Sequence, residues 1–153
     1  MKLWTRSLRF YVNSQSRIRV TSEVLADADV HRLVDLRLGL LRLHEALLEV
    51  ERKSFERTHG RVTSGELLQL VINHEQFAWL RMVSALVLQI DEMLDADEPV
   101  THADVSNLIE RARQLFTESE DLEFQQKYQA ALEQEPEVVM AHSALMKLLR
   151  SKL

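Results

Sequence analysis

The sequence contains no cysteine, only three glycines and two prolines, and nine aromatic residues in 153. Without cysteine the chain has no disulfides, no thiolate nucleophile and no cysteine-based zinc site. So few glycines and prolines leave little material for hairpins and tight turns, and strand-rich domains need many of these. No apolar run approaches the ~18 residues that a membrane-spanning helix requires. The N-terminus also fails as a secretory signal, because Arg6, Arg9, Asn13 and Arg17 interrupt any apolar stretch. What remains is a chain of one-domain size, 46% hydrophobic, whose composition favours long helices.

The net charge is −5, which disfavours nucleic acid as a partner. The charge is unevenly spread. Residues 1–22 carry Lys2, Arg6, Arg9, Arg17 and Arg19 and no acid, leaving 14 basic against 24 acidic residues in the rest. Residues 8–12 and 17–21 have β-like composition, and a lone two-stranded ribbon is marginal in water. A basic, poorly packed arm is therefore expected over 1–26, with the helical bundle domain over 27–153. The arm resembles an organelle transit peptide in composition, and a membrane-surface or acidic-partner role would also suit it. The chain as a whole is expected to be cytoplasmic.

Hydrophobic spacing supplies the helices. Leu33, Leu36, Leu40, Leu43, Leu47 and Val50 recur at intervals of three and four, widened by Val34, Leu41, Leu48 and Phe55. The first helix should start at Asp27 or Asp29 as N-cap and stop at Gly60. Thr63-Ser64-Gly65-Glu66 has the form of a capping box and opens a second helix to about Asp95. Trp79, Leu80, Met82, Val83, Leu86, Val87, Ile90, Met93 and Leu94 cover most of its circumference, so it should be central or covered on several sides. Its apolar direction shifts at residues 73–76, where a kink or break is expected. Thr101-His102-Ala103-Asp104 caps a third helix, Asp121 starts a fourth, and Pro136 suits the first turn of a fifth. Short connections make neighbours antiparallel. The predicted fold is all-α, an up-and-down four-helix bundle with a split last helix.

No phosphate-binding loop, nucleophile elbow, His-Glu-x-x-His or calcium loop is present. A di-iron bundle needs two Glu-x-x-His motifs, and only Glu56-Arg57-Thr58-His59 has that spacing. Three histidines stand out, because residues three and four positions away share a helical face. His44 is flanked by Leu40, Leu41, Leu47 and Leu48, His74 by Leu70, Val71, Phe77 and Ala78, and His142 by Val138, Val139, Leu145 and Met146. If these histidines converge, neutral imidazoles could hold zinc or ligate haem. Core histidines each hydrogen-bonded locally account for the same pattern, and no cofactor is expected on balance.

Arg37, His44 and Glu51 are seven residues apart and form a line within the apolar arc of the first helix. Buried charge must be paired, and Asp91 and Arg81 are the plausible partners. The set describes either a buried polar pocket or interhelical ties that fix register. With no catalytic constellation, a wide apolar surface points to a protein partner or to self-association as a homodimer.

The segments LHEALLEVER, GELLQLVIN, FAWLRMVSALVLQIDEMLD and VVMAHSALMKLL, within residues 29–149, resemble a family of small all-helical bacterial proteins of unknown function. The resemblance implies a bacterial, cytoplasmic, all-α protein. It implies no activity and assigns no site residue.

Overall fold

The computed structural model describes residues 20–150, and among these every regular element is a helix. α1 spans Val20–His59, α2 Ser64–Asn73, α3 Arg81–Asp95, α4 His102–Thr117, α5 Leu122–Gln134 and α6 Pro136–Arg150, and a 3-10 segment, Glu75–Leu80, joins α2 to α3. Of the basic arm, residues 1–19 lie outside the described residues. Residues 20–26 belong to the backbone of α1, including Val20 and Thr21 from the second β-like stretch.

At 40 residues α1 is about 60 Å long. It is the common wall of the fold, packing mainly against α6 and α3 and also against α4 and α5. Leu33, Leu36, Leu40, Leu43 and Leu47 are buried to 2% exposure or less. Each such leucine contributes roughly 2 kcal/mol by leaving water. Across the core they meet Phe77, Leu80, Val83 and Ile90 of the 3-10 segment and α3, Val105 and Leu108 of α4, Phe124 of α5, and Val138, Leu145 and Leu149 of α6. α1 and α3 run antiparallel. Arg37 reaches Asp91 near one end, and Glu51 reaches Trp79 near the other. Gly39 lies where α1 and α6 come close: a Cβ there would stand 3.1 Å from Leu148 Cδ1 and 3.3 Å from Leu145 Cδ1.

The helix ends follow local chemistry. Gly60 adopts φ 82°, the left-handed conformation that terminates α1, and its N–H returns to the Glu56 carbonyl. Thr63 and Glu66 form a complete capping box at α2, as do Thr101 and Asp104 at α4. Asp121 caps α5 through the Phe124 N–H, and Pro136 is the first residue of α6.

One expectation about α1 needs correction. Neither Asp27 nor Asp29 is an N-cap, because α1 already includes both. The Asp27 carbonyl accepts from the His31 ring one turn later, and Asp29 is buried at 3% exposure, 3.3 Å from His102 at the start of α4. A carboxylate facing a helix N-terminus is favourable there, but the helix belongs to a neighbour. The stretch 64–95 divides within residues 73–76, where the sequence predicts a kink or break. It breaks at His74, where the backbone is extended.

α5 and α6 are separated by Glu135 alone. The Tyr128 hydroxyl and His142 Nδ1 are hydrogen-bonded at 2.6 Å. Fourteen residues of continuous helix would separate these side chains by about 21 Å, so α5 and α6 fold back on each other.

Candidate functional site

The polar line of α1 separates into two ties and one isolated ring. Arg37 forms a half-buried ion pair with Asp91, Nε to Oδ1 at 2.5 Å and Nη2 to Oδ2 at 3.5 Å. About two turns of α1 beyond His44, Glu51 is 8% exposed. Its Oε1 accepts from Trp79 Nε1 at 2.9 Å and its Oε2 from the Gln76 amide at 2.8 Å. Both oxygens are therefore engaged by neutral donors of the 3-10 segment. A buried carboxylate without donors would be very costly, so Glu51 and the 3-10 segment hold each other in place. Lys127 of α5 reaches the Gln76 carbonyl at 3.4 Å and braces the same segment from the other side.

Between the two ties lies His44. Its Nε2 is buried and has no hydrogen-bond partner. Burial pushes its pKa below the ordinary histidine value of 6.5, so the ring is neutral at pH 7. Arg81 belongs to neither tie. It is exposed, and its guanidinium donates to the Ile72 carbonyl at the end of α2. It covers a helix terminus rather than a buried charge.

The three histidines occupy three different surroundings. His74 is not on a helical face. It sits in the break, where its Nδ1 accepts from the Gln76 N–H at 3.1 Å and caps the 3-10 segment. Its ring lies edge-on to Phe55 at 5.3 Å, and His59 stacks on the other side of Phe55 at 4.1 Å. His142 Nδ1 is hydrogen-bonded to the Tyr128 hydroxyl. Burial, with Arg150 nearby, lowers the His142 pKa, and burial raises that of the Tyr128 phenol. Both shifts favour the neutral pair. Among the described residues no three His, Asp or Glu side chains are grouped as metal ligands. The Arg37–Asp91, Glu51–Trp79 and Tyr128–His142 contacts act as packing ties.

The unusual surface lies elsewhere. α2 holds Leu67, Leu68, Leu70, Val71 and Ile72 among ten residues, yet none of its residues is buried. Leu67, Leu70 and Val71 lean on the core, while Leu68 and Ile72 point outward at 58% and 53% exposure. The expectation that this apolar stretch is covered on several sides therefore fails for its first ten residues. Among the described elements α2 is joined closely only to the 3-10 segment that follows it. Leu88 of α3 and Met140 of α6 are further exposed apolar side chains.

Sequence reasoning missed Gln76, Trp79 and Tyr128 as the partners that satisfy Glu51 and His142. One signal was available: a buried indole needs an acceptor for its N–H. It also missed Leu68 and Ile72, whose exposure depends on where the helix breaks. No family model matches the chain, and neither a curated protein nor a solved structure matches it.

Proposed function

We propose that this chain is a non-enzymatic protein–protein interaction module that works as a homodimer. Its frame is an up-and-down four-helix bundle of α1, α3, α4 and α6, with α5 folded back against α6. Its setting is the bacterial cytoplasm, and its partner is a protein, with a second copy as the first choice. The observation that carries the reading is α2, half of whose residues are Leu, Val or Ile although none is buried within the chain. Apolar side chains grouped on one exposed helix favour a protein partner, since covering them gains free energy that solvent cannot give. The polar ties add indirect support. Glu51, Arg37 and His142 are each occupied by a neighbour, which suits a rigid scaffold better than a reacting site.

The test is the solution mass of the full chain over a wide concentration range, by sedimentation equilibrium. Self-association is expected, with the mass rising from 17.8 kDa toward twice that value. A mass fixed at 17.8 kDa at every concentration would refute the homodimer.

A further inference from the structure

We infer that the homodimer seam is α2 itself, two copies pairing antiparallel so that Ile72 of each lies over Gly65 of the other. The inference rests on the homodimer proposed above and specifies where the copies meet.

Three observations converge on this helix. The first is a glycine without a reason inside the monomer. Gly65 lies in the first turn of α2, where glycine weakens a helix relative to alanine. It has no positive φ, and a Cβ built on it meets nothing within 4 Å. The backbone neither requires glycine here nor lacks room for a side chain. A closely approaching second helix would require it.

The second is the outward stripe. Gly65, Leu68 and Ile72 are spaced by three and four and share one face, opposite the inward Leu67, Leu70 and Val71. This is the spacing of a short helix–helix seam. Reversing a copy about the middle of the stripe sets Ile72 against Gly65 twice and the two Leu68 side chains beside each other. The face thus complements itself under a two-fold axis, as an isologous contact must.

The third is charge. Between Ser64 and Asn73 the only charged residue is Glu66, whose carboxylate already accepts the Thr63 N–H. Within the helix the seam is thus free of like-charge repulsion. At its two ends stand exposed Arg61 and exposed Glu75, with Arg81 committed to the Ile72 carbonyl. Antiparallel pairing brings Arg61 of one copy toward Glu75 of the other at both ends, and it opposes the helix dipoles favourably. Parallel pairing would set arginine against arginine.

The helix is about 15 Å long, so a seam of α2 alone covers less than the ~1,200 Å² typical of stable complexes. The dimer is accordingly expected to be weak and concentration-dependent.

Sedimentation equilibrium of the full-length chain and its variants tests this, with circular dichroism confirming that each variant is folded. Leu68→Glu should weaken association at least tenfold. Gly65→Ala should weaken it severalfold while raising the thermal midpoint of the dilute monomer, a combination that simple damage to the fold cannot produce. Arg61→Glu should weaken association, and Arg61→Glu combined with Glu75→Arg should restore it. A dimer whose affinity none of these variants moves would overturn the α2 seam while leaving the homodimer standing. A chain that is monomeric throughout would overturn both.

Discussion

Gly39 and Gly65 are both glycines within helices, and they mark opposite kinds of surface. Gly39 stands where α1 meets α6, and Leu145 and Leu148 already occupy the space that a Cβ would enter. Gly65 stands on α2 above open space. The first glycine belongs to a packed interior, in which every side chain has neighbours on all sides. The second belongs to a helix whose apolar residues rest on the core along one edge only. Close packing makes the α1–α3–α6 region intolerant of volume change. The looseness around α2 makes that helix tolerant as a monomer and available for binding. The two regions should therefore respond differently to the same kinds of substitution.

The sharpest contrast is leucine truncation. Leu40 is fully buried in the α1 stripe, and Leu40→Ala should cost about 3 kcal/mol, measured by urea unfolding followed through tryptophan emission. Leu68→Ala, at a position 58% exposed, should change the monomer by less than about 0.5 kcal/mol. Equal losses at the two sites would erase the distinction.

A second experiment probes the joint between the regions. Glu51→Leu removes the acceptor for both Trp79 and Gln76. Stranding buried donors costs roughly 1–3 kcal/mol, so the urea midpoint should fall. The Trp79 emission should also shift to the red as the 3-10 segment loosens. An unchanged midpoint would mean that the 3-10 segment is held by packing alone.

The glycines themselves give a smaller effect of opposite signs. Replacing a helical glycine with alanine gains up to about 1 kcal/mol of helix propensity. At Gly65, in the first turn of α2, part of that gain should appear in the dilute monomer. At Gly39 the clash with Leu145 and Leu148 should outweigh it, for a net loss of about 1 kcal/mol. Thermal midpoints moving in the same direction would contradict the comparison.

The smallest expected effect is on pH dependence, and it belongs to the packed region. His44 and His142 both have folded pKa values below 6.5, because burial disfavours their charged forms. The unfolded chain therefore binds more protons in the window from 6.5 down to those folded values. Stability should rise with pH through that window and be lost on acidification. His44→Leu should flatten part of this slope and cost little at pH 7.5, since the His44 Nε2 makes no hydrogen bond to lose. Denaturant midpoints at pH 7.5 and 5.5 for both proteins check the sign.

How much of this could be read from the sequence depended on whether the cause was local. The leucine stripe of α1, the capping boxes at Thr63 and Thr101, and the ends at Gly60, Asp121 and Pro136 are all set within a few residues, and the structure has them. Asp29 misled because its type suits a helix start, whereas its role is set by His102, distant in sequence. His74 misled because counting three and four residues assumes an unbroken helix, although the break expected at residues 73–76 falls on it. Arg81 misled because a long side chain can reach a nearby carbonyl as easily as a distant acid. The exposure of Leu68 and Ile72 was hidden for a related reason. Hydrophobicity says that a segment gains by burial, but only the tertiary arrangement says whether this chain supplies the cover.

Amide hydrogen exchange of the full chain, measured at low and at high protein concentration, tests that distinction most directly. The account predicts that amides of α2 exchange faster than those of α6 in dilute solution and gain protection as concentration rises, while α6 stays unchanged. Protection in α2 equal to that in α6 and independent of concentration would contradict it.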